Sequence, residues 1–293
     1  MKICLFFLLF LLAPLAHAAE PQEGILLVAF GTSYQNAKAA YDTIENEYRK
    51  QFPDSHLVWA FTSQKIRKKL AKQGINTNSI AEGLDQLARQ GVKNVRVQSL
   101  HITSGEEFDG MARSVLLDLQ KHPGRFDSVF LARPLLETRE DADGTARAIA
   151  GLLADSSIPV AKDIAILLMA HGNAKGRSEL VLTGAHDQLR KSMPNIYMAS
   201  VEEDADIPML GKDLLKNGFK RVVLLPLMIV AGDHAQNDMA GSDKDSWASQ
   251  LESSGLEVLP VLKGLGEAQE ISSIFARHTR ESGDNLCLEP RKP

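Results

Sequence analysis

The chain has 293 residues, of which 44% are apolar and 24% charged, with a formal net charge of −4. This is the composition of a folded globular protein with room for two modest domains, and it excludes a disordered or fibrous chain. No lysine- or arginine-rich tract stands out, so nucleic acid is not an expected partner.

The first segment reads as a leader. Lys2 precedes "ICLFFLLFLLAPLA", and "AHA" follows. A positive start, a short apolar run and a small-x-small ending describe a secretory signal. A membrane span needs roughly 20 apolar residues, so no anchor is expected after cleavage. Residues 1–19 are therefore expected to be removed after Ala18 or Ala19, leaving an exported, periplasmic protein. Cleavage removes Cys4 and leaves Cys287 as the single cysteine, which can form neither an internal disulfide nor a cysteine metal site.

From there strand-like and helix-like runs alternate. "GILLVAF" (24–30) is a continuous apolar strand, and a charged helix is expected over about 34–50. "HLVWAFT" (56–62) is strand-like, and "NTNSIAEGLDQLARQG" is a capped amphipathic helix closed by Gly91. "VKNVRVQSLHI" is the third strand, a helix follows over about 107–121, and "SVFLARPLL" is the fourth strand. The second half repeats this order: "DIAILLMAHG", a helix over about 176–191, "IYMASVE", "IPMLGKDLLKNG", "FKRVVLLPLMIVAGD", a helix over about 243–253, "LEVLPVL", and a last helix near 267–280. Such alternation gives parallel sheets flanked by helices.

The repeat is visible in residues. "ILLVAFG" (25–31) aligns with "ILLMAHG" (166–172), and "GVKNVRVQSLHITSGEEFDGM" (91–111) with "GFKRVVLLPLMIVAGDHAQND" (218–238). The expected fold is α/β, with two similar Rossmann-like lobes and a ligand cleft between them. The lobes are expected at 20–140 and 141–282, dividing near 134–163, with a polar tail at 283–293.

Polar residues gather past the strands of the second lobe. The first strand ends in His171, the second in Glu202 with Glu203 and Asp204 behind it, the third in Asp233 and His234. In a parallel sheet these ends share one edge, where ligands collect. Each residue alone fits a hydrogen-bonded loop position. Together, two imidazoles and a carboxylate spaced 31 and 32 residues apart suit a divalent first-row metal. Glycines at 172 and 232 would let a bulky ligand approach. The matching ends of the first lobe carry Phe30, Ser63 and Glu107, an apolar wall with one carboxylate able to accept protons.

"VAFGTSYQNA", "AFTSQKIRKKL", "VQSLHITSGEEF", "MAHGN" and "LPLMIVAGDHAQNDMAGSDKDSW" resemble the anaerobic-pathway sirohydrochlorin cobaltochelatases of the class II chelatase superfamily. The resemblance spans about 24–280. It implies metal ligation by His171, His234 and Glu202, with Glu203 as the register alternative, and catalytic roles for His171 and Glu107. The implied substrates are sirohydrochlorin and Co²⁺, with Fe²⁺ often accepted by members. Lys65, Arg67 and Arg113 are candidates to rim the cleft against the substrate's carboxylates. The leader departs from the family's cytoplasmic pattern. The resemblance extends to periplasmic relatives that bind haem at an oligomer interface. It thereby implies a homo-oligomer and makes His101 and His122 the candidate haem b ligands. The alternative to an exported enzyme is a periplasmic metal- or haem-binding protein that does not turn over.

Overall fold

The computed structural model describes residues 23–35, 38–172, 177–202 and 205–287. The expected leader, Glu203 and Asp204 lie outside the described residues. Among the described residues no helix is long and apolar enough to cross a membrane.

The first lobe is built on β1 (Glu23–Ala29), β2 (His56–Phe61), β3 (Asn94–Ser99) and β4 (Ser128–Ala132), all parallel, in the order β2-β1-β3-β4. Its helices are α1 (Lys38–Gln51), α2 (Gln64–Ala71), α3 (Ile80–Arg89) and α4 (Glu106–Lys121). The second lobe repeats the plan with β5 (Ile164–Ala170), β6 (Ile196–Ser200), β7 (Arg221–Pro226) and β8 (Glu257–Pro260), in the order β6-β5-β7-β8. Its helices are α6 (Arg177–Ser192), α7 (Ile207–Lys216) and α8 (Trp247–Ser253). The expected two-lobed α/β architecture is what the chain forms. Helix α3 begins with the capping box that "NSIAE" predicts: Ser79 Oγ accepts from the Glu82 amide and Glu82 returns a carboxylate to the Ser79 amide. It ends at Gly91, whose φ of +82° suits a residue without a Cβ.

Strand pairing confirms the duplication at the level of register. Leu27 pairs with Gln98 in the first sheet, and their repeat partners Leu168 and Leu225 pair in the second. Beyond the strands the correspondence continues. The Leu100 amide donates to Val28 O and the Leu227 amide to Met169 O, both at 2.8 Å.

The faces of each sheet are sorted by the two-residue period. Ile25, Leu27 and Ala29 point inward, as do Ile166, Leu168 and Ala170, and all belong to one core shared by both lobes. Leu26 and Val28 face an outer core under α3 and α4, and Leu167 and Met169 another under α7 and α8. Each fully buried leucine or isoleucine contributes about 1.5–3 kcal/mol, so the shared core binds the lobes into one unit.

Two helices complete that core by exchange. The stretch 134–163, expected to divide the lobes, contains α5 (Arg139–Asp155), which leaves the first lobe and packs against α6 of the second. The last helix, α9 (Gln269–Glu281), leaves the second lobe and packs against α1, β3 and β4 of the first. Buried polar groups fix this crossing. Tyr48 OH and Thr279 Oγ1 lie 2.8 Å apart, Thr279 Oγ1 donates to Gln98 Oε1, and Arg96 donates to the carbonyls of Thr279 and Ser282. On α5, Asp141 is fully buried; burial alone would raise its pKa, but His278, Thr138 and Arg277 outweigh that and hold the carboxyl well below the usual range. Within the segment expected as a polar tail, the Leu286 amide donates to Val129 O, and Leu286 and Cys287 pack on the first outer core instead of standing free.

Candidate metal centre

Three loops at the carboxyl edge of the second sheet carry the expected ligands together. His171 ends the loop residue after β5, Glu202 follows β6 and His234 follows β7. Their ligand atoms all lie within 4.8 Å of one another. His171 Nε2 is 4.0 Å from Glu202 Oε1, and the two imidazole rings meet edge-on with centroids 5.0 Å apart. Donors around a tetrahedral ion with bonds of ~2.1 Å sit ~3.4 Å apart, so small side-chain rotations close the set on a metal.

Each ring is turned so that Nε2 is available. His171 Nδ1–H donates to Gly172 O at 3.2 Å, and His234 Nδ1–H donates to Asp238 Oδ2 at 2.5 Å. Both partners only accept, which places the proton on Nδ1 and the lone pair on Nε2. This outer hydrogen bond is the usual support of a metal-binding imidazole. Gly172 has φ +73°, a conformation that turns the chain directly behind His171; Gly232 needs no such conformation. The loop is held further by Ser200 Oγ, which donates to the His171 carbonyl. His234 lies in a helical turn that widens into a π-turn over Ala235–Met239. Such turns recur at functional sites. Here it sets His234 and Asp238 side by side at i and i+4.

A cavity of about 460 Å³ opens in front of these histidines and spans both lobes. Phe30, Lys65, Lys69, His101 and Glu107 line it from the first lobe, and His171, Ile229 and His234 from the second. Phe30 is exposed and its ring centroid is 6.4 Å from that of His171, so the two equivalent positions face each other across the cleft. Glu107 sits in the first turn of α4, where the helix dipole favours a carboxylate. Burial raises its pKa; a protonated His171 would oppose the rise, and the charge of Glu106 adds to it. It is a carboxylate suited to taking up a proton. Ser63 also lines the cavity, and its Oγ caps α2 by accepting from the Ile66 amide.

Not every expected residue reaches the cleft. Lys65 does, but Arg67 turns to Glu82, and Arg113 is exposed on α4 without lining the cavity. Of the two candidate haem ligands, His122 is an exposed residue at the C-terminus of α4, outside the cavity. His101 lines the cavity but is 6% exposed, with Nδ1 2.8 Å from Ser99 Oγ. Three further residues matter. Asp238 supports His234, Lys69 adds a second cation one helical turn beyond Lys65, and Tyr34 OH crosses the cleft to donate to Asp233.

Residues 23–283 match the family model described as cobalt chelatase (CbiK). The chain is 31% identical over 267 residues to the sirohydrochlorin cobaltochelatase CbiKC of Nitratidesulfovibrio vulgaris, covering 91% of this chain and 93% of that one. It is 32% identical over 270 residues to the sirohydrochlorin cobaltochelatase of Salmonella typhimurium, covering 92% and 98%. Among solved structures, SirB from Bacillus subtilis with Fe³⁺ superposes with a TM-score of 0.64 at 12% identity, over 89% of this chain and 95% of that one. At that identity the likeness concerns the fold.

Proposed function

The chain belongs to the cobalt chelatase (CbiK) family, and we propose that it inserts Co²⁺ into sirohydrochlorin with release of the two pyrrole N–H protons. One observation carries this reading: a single cavity is lined on one wall by His171 and His234, two members of the His171–Glu202–His234 metal set, and on the other by the Glu107 carboxylate. A flat macrocycle between the walls meets the incoming ion on one face and a proton acceptor on the opposite face. His171, His234 and Glu202 hold Co²⁺ through exchangeable bonds. Glu107 accepts one pyrrole proton and His171, freed as the ion passes to the ring, accepts the other on Nε2, while the low-polarity wall at Phe30 and Ile229 takes the ring faces. Lys65 and Lys69 pair with the ring's peripheral carboxylates. Fe²⁺ is included as a second metal, because nitrogen and oxygen donors accept both.

The leader-like segment after Lys2 supports export, and this reading places the enzyme in the periplasm. The test of the activity is a spectrophotometric insertion assay under anaerobic conditions with sirohydrochlorin and Co²⁺. Insertion by the wild type and its loss in His234→Ala are expected; an His234→Ala protein with full activity would overturn the assignment. A Soret band in the purified protein, with no insertion, would instead favour haem binding without turnover.

A further inference from the structure

Behind Glu107 lies a group that metal insertion as proposed does not use. The His101 side chain is 5% exposed, and its Nε2 is the one buried side-chain polar atom without a hydrogen-bond partner among the described residues that line the cavity. Its tautomer is set from the other side. Ser99 Oγ lies 2.8 Å from His101 Nδ1 and accepts from the His101 amide at 3.3 Å; among the described residues its own hydroxyl proton has no acceptor but Nδ1, which makes Nδ1 the acceptor. Burial pushes the imidazole pKa down to about 4, which keeps the ring neutral with its single proton on Nε2. That N–H faces Glu107 Oε2 at 4.0 Å. A buried donor left unpaired is costly, and the nearest acceptor is a carboxylate about 1 Å beyond hydrogen-bonding distance.

We propose that His101 is a positioning residue whose Nε2–H docks the Glu107 carboxylate, holding it toward the cavity and His171 for proton uptake. The arrangement runs inward from the cleft: Glu107, then His101, then Ser99 on the last residue of β3. Small rotations about the Glu107 side-chain torsions complete the hydrogen bond. Because β3 is a central strand of its sheet, the arrangement ties the cleft carboxylate to the buried sheet. His101 has no counterpart in the second lobe, where Met228 occupies its place in the repeat.

This inference rests on the chelatase reading, and the two can fail separately. Initial insertion rates would be measured for the wild type, His101→Leu, Glu107→Gln and the double variant, with sirohydrochlorin and Co²⁺ varied in turn. An inactive wild type refutes the activity itself. With an active wild type, His101→Leu is expected to lower kcat by about tenfold, the order of one hydrogen bond to a charged group, with KM for sirohydrochlorin little changed. In the Glu107→Gln background the same change is expected to cost nothing further. His101→Gln, whose amide N–H reaches where Nε2 lies, is expected to restore most of the rate. Equal falls in both backgrounds, or wild-type kcat in His101→Leu, overturn the proposal. Should His101→Leu fail to fold, Ser99→Ala keeps the ring and frees only its tautomer; a partial fall in kcat that vanishes beside Glu107→Gln is then expected, and an unchanged kcat overturns the proposal.

Discussion

The first lobe carries Phe30, Ser63 and Glu107 at the backbone positions where the second carries His171, Glu202 and His234. The equivalence is local and detailed: the Ser63 amide donates to Phe30 O at 3.1 Å, and the Glu202 amide donates to His171 O at 3.2 Å. Gly31 and Gly172 both take positive φ behind the first position. One fold repeated has thus kept its turns and changed its side chains. The second lobe carries the candidate metal ligands, while the first offers an aromatic face, two lysines and a carboxylate. Even the support differs, since Met111 occupies in the repeat the place of Asp238. Chemistry is a property of these few side chains and not of the scaffold that presents them.

This division of labour can be broken most severely from the metal side. His234→Ala removes a ligand and is expected to cut insertion by about 100-fold or more, with loss of Co²⁺ binding by titration calorimetry; loss of an outer partner alone costs 10–100-fold. Asp238→Asn should fall in that outer range, weakening Co²⁺ about 10–100-fold while leaving the fold's thermal midpoint nearly unchanged. An unaltered affinity would show that Asp238 does not support the imidazole.

The opposite wall should behave differently. Glu107→Gln is expected to bind Co²⁺ as the wild type does and to lose about 100-fold in kcat, the lower end of the usual contribution of a general base. Its raised pKa sets the sign of the pH response. The base works ionised, so activity falls as pH drops through a value above the ~4.3 of an ordinary glutamate, and the Gln variant lacks that limb. Lost Co²⁺ binding in Glu107→Gln would erase the distinction between the walls. The smallest effect is expected from Lys65→Ala: an exposed ion pair contributes about 0.2–1 kcal/mol, so KM for sirohydrochlorin should rise by no more than about fivefold.

Much of this organisation could be read in the sequence because it is local or repeated. The aligned "ILLVAFG" and "ILLMAHG" place Phe30 opposite His171, and parallel strands oblige His171, Glu202 and His234 to share an edge. The capping residues of α3 define its start without tertiary help. What escaped reading depends on contacts between distant segments. Helix α5 shows no single apolar stripe, because Ala142, Ala146, Ala148, Ile149 and Leu153 are buried on several sides between neighbours from both lobes. Its Asp141 reads as a surface charge, yet it is buried against His278 and Arg277 from α9. Asp238 is visible four residues after His234, but its role needs the helical turn that follows Gly232, where the sequence suggests a strand end. Arg67 fits a cleft rim by position alone; the helix rotates it toward Glu82.

The exchanged helices bear on how the molecule assembles. Tyr48 and Thr279, in direct contact, are 231 residues apart along the chain. Part of the inner face of the first sheet is covered only when α9 has been made and returned to it, so that half completes its core late in synthesis. Contacts this distant in sequence close slowly, and the shared core couples the stability of the two halves.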